Sequence, residues 1–167
     1  TLNPTIEDEF FDEEITFEDY VKEIVRSYQE ISNKKFIINL DKFDKKIKSF
    51  KSQEIIYGLR NFIGNANKFS KKKIEIFLIS NSKETEIVVK DDGPGFPTDL
   101  INKARLGEPY IRTSDKNHIS KHGLGLGTFI GKTLLERNYA KITFKNSEFE
   151  GAIVRIRWNN NDIKKIN

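Results

Sequence analysis

Three short strings fix where this chain must fold back on itself. RNFIGNANKF carries Asn61 and Asn65, DDGPGF covers residues 91–96, and HGLGLG covers residues 122–127. The first lies in a stretch of helical periodicity over residues 53–69, where Ile55, Ile56, Leu59, Phe62, Ile63 and Ala66 mark an inward face. The second directly follows an alternating strand pattern at residues 86–90, and the third opens a helical stretch over residues 124–137. A helix face, a strand end and a helix start thus each present polar or backbone groups. Together they offer a metal ligand, a base reader and a phosphate cradle.

The other elements follow from periodicity. Thr16 is placed to cap a helix running to Glu30, with Phe17, Tyr20, Val21, Ile24, Val25 and Tyr28 at helical spacing. Residues 36–40 read as a short strand, and 74–79 and 86–90 as a β-hairpin around residues 81–83. Residues 97–110 should contain a short helix, 111–121 a polar connection, and 141–145 and 152–158 two closing strands. Helices and hairpins segregated in this way imply an α+β fold, a two-layer sandwich with a mixed, largely antiparallel sheet on three helices. Residues 17–158 would form the domain. Residues 1–16, acidic and poorly periodic, read as a linker or arm, and residues 159–167 as a polar tail.

Composition narrows the partners. The chain has 167 residues, the size of one domain. Its 29 basic and 25 acidic residues are interleaved, so the net charge of +4 forms no stripe for nucleic acid; anionic phosphates suit a local basic excess better. The absence of cysteine excludes disulfides and thiolate metal sites. His118 and His122 are spaced i, i+4 without a glutamate between them, which favours loop residues over a metal pair. No run approaches the ~18 apolar residues of a membrane span. The chain begins at Thr1, as a segment of a longer protein would, and any membrane attachment is expected in that parent.

Each string has a chemical reading and a plain one. Asn61, Asn65 and Lys68 fall at i, i+4 and i+7, so one helix stripe carries two amides and an ammonium. Spacing alone favours a solvated polar face. Asp91, at a strand end, is placed to accept a hydrogen bond from an exocyclic amine, and Gly93 and Gly95 would let backbone approach a base; an isolated string would read as an Asp-Gly turn. Gly123, Gly125 and Gly127 at a helix start offer backbone N–H groups and the positive end of the helix dipole to phosphate. No parallel βαβ pattern surrounds them, and no lysine and hydroxyl follow in P-loop order.

In this order, the strings resemble the ATP-binding catalytic domain of sensor histidine kinases, in the superfamily that includes DNA gyrase, the MutL repair proteins and heat-shock ATPase chaperones. The resemblance covers residues 50–158, and LGEPYIRTS and GLGLGTFIGKTLLER look like the RegB/PrrB group. It implies ATP and Mg²⁺ as ligands. Asn65 matches the metal-binding asparagine of the N box, Lys68 a phosphate contact and Phe69 an adenine-pocket aromatic. Asp91 matches the adenine reader of the G1 box, with Gly93 and Gly95. Gly123, Leu124, Gly125, Leu126 and Gly127 match the phosphate-binding G2 backbone. Residues 97–121, with Lys103, Arg105, Arg112, Lys116 and Lys121, look like the ATP lid.

Departures sharpen the expectation. Hydrolysing members of the superfamily place a water-activating glutamate where Asn61 stands, and an amide is no base. Asn61 and Lys68 are therefore expected to assist a phosphotransferase rather than an ATPase. Ala152 stands where a threonine often helps hold adenine, and the phosphoacceptor signature His-Glu-x-x-x-Pro is absent. The implied function is transfer of the γ-phosphate to a histidine on a separate dimerisation domain outside this chain, for relay to a response regulator. The parent would be an inner-membrane sensor with this domain in the cytoplasm, and the isolated chain would not autophosphorylate. A non-catalytic nucleotide-gated module and an anti-sigma-type serine kinase share the same site signature.

Overall fold

Alternation of apolar and polar side chains builds the central sheet, and helical stripes of the same residues cover one side of it. The computed structural model describes residues 13–102 and 126–167. The order is β1 (Glu14–Thr16), α1 (Phe17–Gln29), β2 (Lys35–Phe43), β3 (Lys48–Phe50), α2 (Gln53–Phe69), β4 (Lys73–Ser80) and β5 (Glu84–Asp91). Then follow α3 (Thr98–Asn102), α4 (Leu126–Arg137), β6 (Lys141–Asn146), β7 (Ala152–Asn159) and α5 (Asn160–Ile163). Five strands pair in the order β2-β4-β5-β7-β6, with β2 parallel to β4 and the other neighbours antiparallel.

Every second residue points inward: Ile74, Ile76 and Leu78 from β4, Ile87 and Val89 from β5, Val154, Ile156 and Trp158 from β7. Onto them pack Tyr20, Val21 and Ile24 of α1, Ile55, Leu59, Phe62 and Ile63 of α2, and Leu135 of α4. Thr16 caps α1 in a capping box: its hydroxyl accepts from the Asp19 N–H at 3.2 Å, and Asp19 Oδ2 accepts from the Thr16 N–H at 3.1 Å. Ser52 caps α2, and its own N–H donates to the Tyr20 hydroxyl at 2.7 Å, which ties the two helices together.

Both ends of the expected domain differ from the sequence reading. Residues 14–16 of the supposed arm form β1, which pairs antiparallel with the unforeseen β3 and buries Ile15. The supposed polar tail forms α5 and buries Ile163 and Ile166. Only these two apolar residues sit among seven polar ones after residue 158, too few for a periodic signal. The expected start of α4 at Leu124, the connection at 111–121, both histidines and the lid cations lie outside the described residues.

Candidate functional site

β5 ends with Asp91 on the wall of an open cleft. α2 gives this cleft Phe62, Asn65, Ala66 and Phe69; the loop after β5 gives Gly95 and Phe96; α4 gives Thr128. Phe144 of β6 and Ala152 and Val154 of β7 close the far wall. Apolar walls with a few placed polar groups suit a flat heteroaromatic ring.

Asp91 is only 8% exposed as a residue. Burial pushes its pKa above the ordinary value, and the N–H groups of Gly93 and Ala152 work against that rise. Both donate to Oδ1, at 2.8 and 3.3 Å; Oδ2 takes no hydrogen bond from the described residues. A buried carboxylate anchored through one oxygen is a fixed acceptor for a ligand N–H at the other. Gly151 makes this geometry possible. Its φ is +92°, and a Cβ there would lie 1.8 Å from the Asp91 carbonyl oxygen, so only glycine lets β7 start this close.

Asp92 faces elsewhere. It accepts from the N–H groups of Lys71, Lys72 and Lys73 at 2.7 to 3.3 Å and pins the turn between α2 and β4. Burial opposes its charge, but the N–H groups of Lys72, Lys71 and Lys73 together hold its carboxyl below the ordinary value.

On α2, the Asn65 amide donates to the buried Thr128 hydroxyl at 3.4 Å, and its Oδ1 has no hydrogen bond from the described residues. Asn61 donates to the Tyr57 carbonyl at 2.9 Å, and a Cβ at Gly127 would stand 3.3 Å from Asn61 Oδ1. Helix packing thus brings Asn61 to the opening turn of α4, where Leu126 and Gly127 lie. Lys68 is exposed at the rim, its ammonium 5.3 Å from the centre of the Phe69 ring. Gly93 fits closely too, but against protein: a Cβ would meet the Phe69 carbonyl at 2.4 Å. That close approach joins the loop to the end of α2, where the sequence reading expected a bound base. Asn65, Phe69, Asp91 and Gly95 therefore share the cleft wall, Asn61 and Gly127 adjoin each other, and Lys68 stands outside the wall. Gly123, Leu124 and Gly125 lie outside the described residues.

Among the described residues no group of three or more His, Cys, Asp or Glu side chains could hold a metal. The Asn65 side-chain oxygen would offer one hard ligand, an arrangement compatible with magnesium carried mainly by phosphate and water. Sequence reasoning missed Thr128, Phe144, Asn146 and Gly151. Thr128 directly follows the last glycine of HGLGLG, and Gly151 sits in a turn between two strands, so each had a local signal. Asn146 and Phe144 had none beyond their strand.

The family described as histidine kinase-, DNA gyrase B- and HSP90-like ATPase matches residues 51–162. Sensor histidine kinase RegB of Cereibacter sphaeroides is 36% identical over 121 residues, 63% of this chain and 26% of that protein. A putative NtrY-like sensor histidine kinase of Rickettsia felis is 31% identical over 150 residues, 87% of this chain and 23% of that protein. The chain spans about a quarter of the length of these relatives. The nucleotide-free catalytic domain of histidine kinase ThkA superposes with a TM-score of 0.69 at 21% identity, covering 89% of this chain and 96% of that one. Mycobacterial sensor histidine kinase MprB gives 0.68 at 16% identity, with 88% and 97% covered. These likenesses establish the fold.

Proposed function

Because this chain belongs to the histidine kinase-, DNA gyrase B- and HSP90-like ATPase family, we propose that its cleft takes the adenine of ATP and that the domain serves a RegB- or NtrY-like sensor kinase. The observation that carries this reading is Asp91: a buried carboxylate, anchored through Oδ1, with Oδ2 free to accept from the exocyclic amine of adenine. Guanine offers a carbonyl at that place and would be repelled. Phe69, Phe96 and Phe144 wall the base, and Ala152 contributes its N–H to Asp91 rather than a side-chain hydroxyl to the ligand.

The triphosphate would run from this pocket towards the N-terminus of α4, past Asn65 and Asn61. Residues 123–127 would present N–H groups to it, and Lys68 would add a cation at the rim. Asn65 Oδ1, its amide turned by Thr128, would hold Mg²⁺, which when bound neutralises phosphate charge. Asn61, bonded to its own helix and unable to take a proton, leaves water unactivated. An imidazole nitrogen from a separate helical domain would then attack the γ-phosphorus as the bond to ADP breaks, and positioning would do most of the work. The catalytic unit, running from β1 through α5, would lie on the cytoplasmic side of a membrane-anchored parent. A response regulator would receive the phosphoryl group, as suits a fold also seen in ThkA bound to the response regulator TrrA. No helix among the described residues is long and apolar enough to cross a membrane.

Incubation of the chain with γ-labelled ATP tests this. Alone, the chain should hydrolyse ATP slowly and retain no label. Adding the parent's histidine-bearing hairpin in trans should give acid-labile label on that hairpin, slowly because tethering is lost. Rapid hydrolysis, or label on His118 or His122, would contradict the reading.

A further inference from the structure

The loop after Asp91 carries Phe96 into the base pocket, and a single side chain on a distant strand holds it there. Asn146, the last residue of β6, grips the Phe96 backbone at both polar atoms: the Phe96 N–H donates to Asn146 Oδ1 at 2.7 Å, and Asn146 Nδ2 donates to the Phe96 carbonyl at 2.9 Å. Gly95 makes room for this clasp. Its φ is +80°, and a Cβ there would lie 2.6 Å from Asn146 Oδ1. With the backbone gripped, the Phe96 ring meets Phe144 edge-on at 5.6 Å and 87°, and Phe144 in turn leans on Phe62 at 5.8 Å. Phe62, Phe96 and Phe144 all line the cleft.

We infer that Asn146 is a positioning residue for nucleotide binding: its amide clasp holds Phe96 in place as a preformed wall of the base pocket. The inference rests on the cleft being a nucleotide site. At neutral pH an amide offers an acceptor and a donor side by side, where a carboxylate of the same size offers acceptors alone. Two matched bonds on the peptide units either side of the Phe96 Cα fix both the height and the tilt of the ring it carries. A wall already ordered before binding spares the ligand the entropy of ordering it.

The amide's dual character gives the test. Asn146→Ala removes both bonds. Asn146→Asp keeps the acceptor, but its carboxylate faces the Phe96 carbonyl with no hydrogen to give; once protonated, it regains the donor. ADP affinity is measured by calorimetry for the wild-type chain and both variants at pH 8 and pH 4, each variant taken as a ratio to wild type at the same pH. Asp91, Asp92, Asp99, Lys145, Glu148, and Glu150 with its ion-pair partner Lys71, the charged groups of the strand ends, loop and turn that meet here, are common to all three chains, so any effect of pH through them largely cancels in the ratio. The expected result is an affinity about tenfold below wild type for Asn146→Ala at both pH values. Asn146→Asp should be equally weak at pH 8 and recover about half of the loss at pH 4, close to the ordinary value of an Asp carboxyl. Wild-type affinity in both variants, or an Asn146→Asp ratio that does not change with pH, would overturn the inference. Should Asn146→Ala not fold, the pH pair on Asn146→Asp decides alone. A wild-type chain that binds no ADP would instead refute the nucleotide reading on which the inference rests.

Discussion

Burial raises the Asp91 carboxyl above its ordinary value of 3.8, whereas the N–H groups of Lys72, Lys71 and Lys73 overcome burial and lower that of its neighbour Asp92. Adjacent carboxylates thus take different tasks: Asp92 stabilises a turn, and Asp91 is held ready at a cost to the fold. The sign follows from linkage. The folded chain keeps the Asp91 proton to higher pH than the unfolded chain, so the stability present below pH 3.8 is lost as pH rises through the raised value. Asp91→Asn keeps an oxygen for the N–H groups of Gly93 and Ala152 without the buried charge. At neutral pH its thermal midpoint should equal or exceed that of the wild type. Its ADP affinity should fall by tenfold to a hundredfold, about 1.5–3 kcal/mol for a charge-assisted hydrogen bond. Differential scanning beside calorimetry reads both; a lower midpoint with unchanged affinity would make Asp91 a structural residue.

At the scale of elements, the strongly periodic segments were legible. Residues 53–69 are α2 to the residue, Thr16 is the cap expected of it, and the hairpin at residues 81–83 joins β4 and β5. What escaped depends on contacts between distant segments. β1 and β3 have three residues each and exist only because they pair, and α5 is a single turn held by tertiary bonds. Asn160 accepts from the Thr85 hydroxyl at 2.7 Å and donates to the Asn81 carbonyl at 2.8 Å, anchoring α5 over the β4–β5 turn. The clasp of Asn146 on Phe96 likewise joins residues 50 apart, and nothing local in KITFKN announces it. Ile163, fully buried, should therefore matter as a core residue does. Ile163→Ala should destabilise by about 2–4 kcal/mol in urea unfolding, with ADP affinity nearly unchanged; a loss under 0.5 kcal/mol, the size usual for surface substitutions, would return residues 159–167 to a loose tail.

Across the whole molecule, one sheet and one helical layer bring α2, the end of β5 and the first turn of α4 to one cleft. β5 delivers Asp91 at its end, α2 sets Asn65 and Phe69 opposite, and α4 starts beside Asn61. The helices meet closely enough for this because Gly58 faces Leu135 and Gly131 faces Asn61, at distances no Cβ would allow without movement. Asn61 lies beside the first turn of α4, where the proposed phosphate site would need it, a proximity the sequence conveyed only through resemblance. The central claim is that this cleft selects adenine through Asp91. Paired calorimetric titrations of the wild-type chain with ADP and GDP, each with magnesium, test it most directly. ADP should bind at least about tenfold more tightly than GDP, the difference made by one charge-assisted hydrogen bond gained and one repulsion avoided. Equal affinities for the two nucleotides would contradict the account.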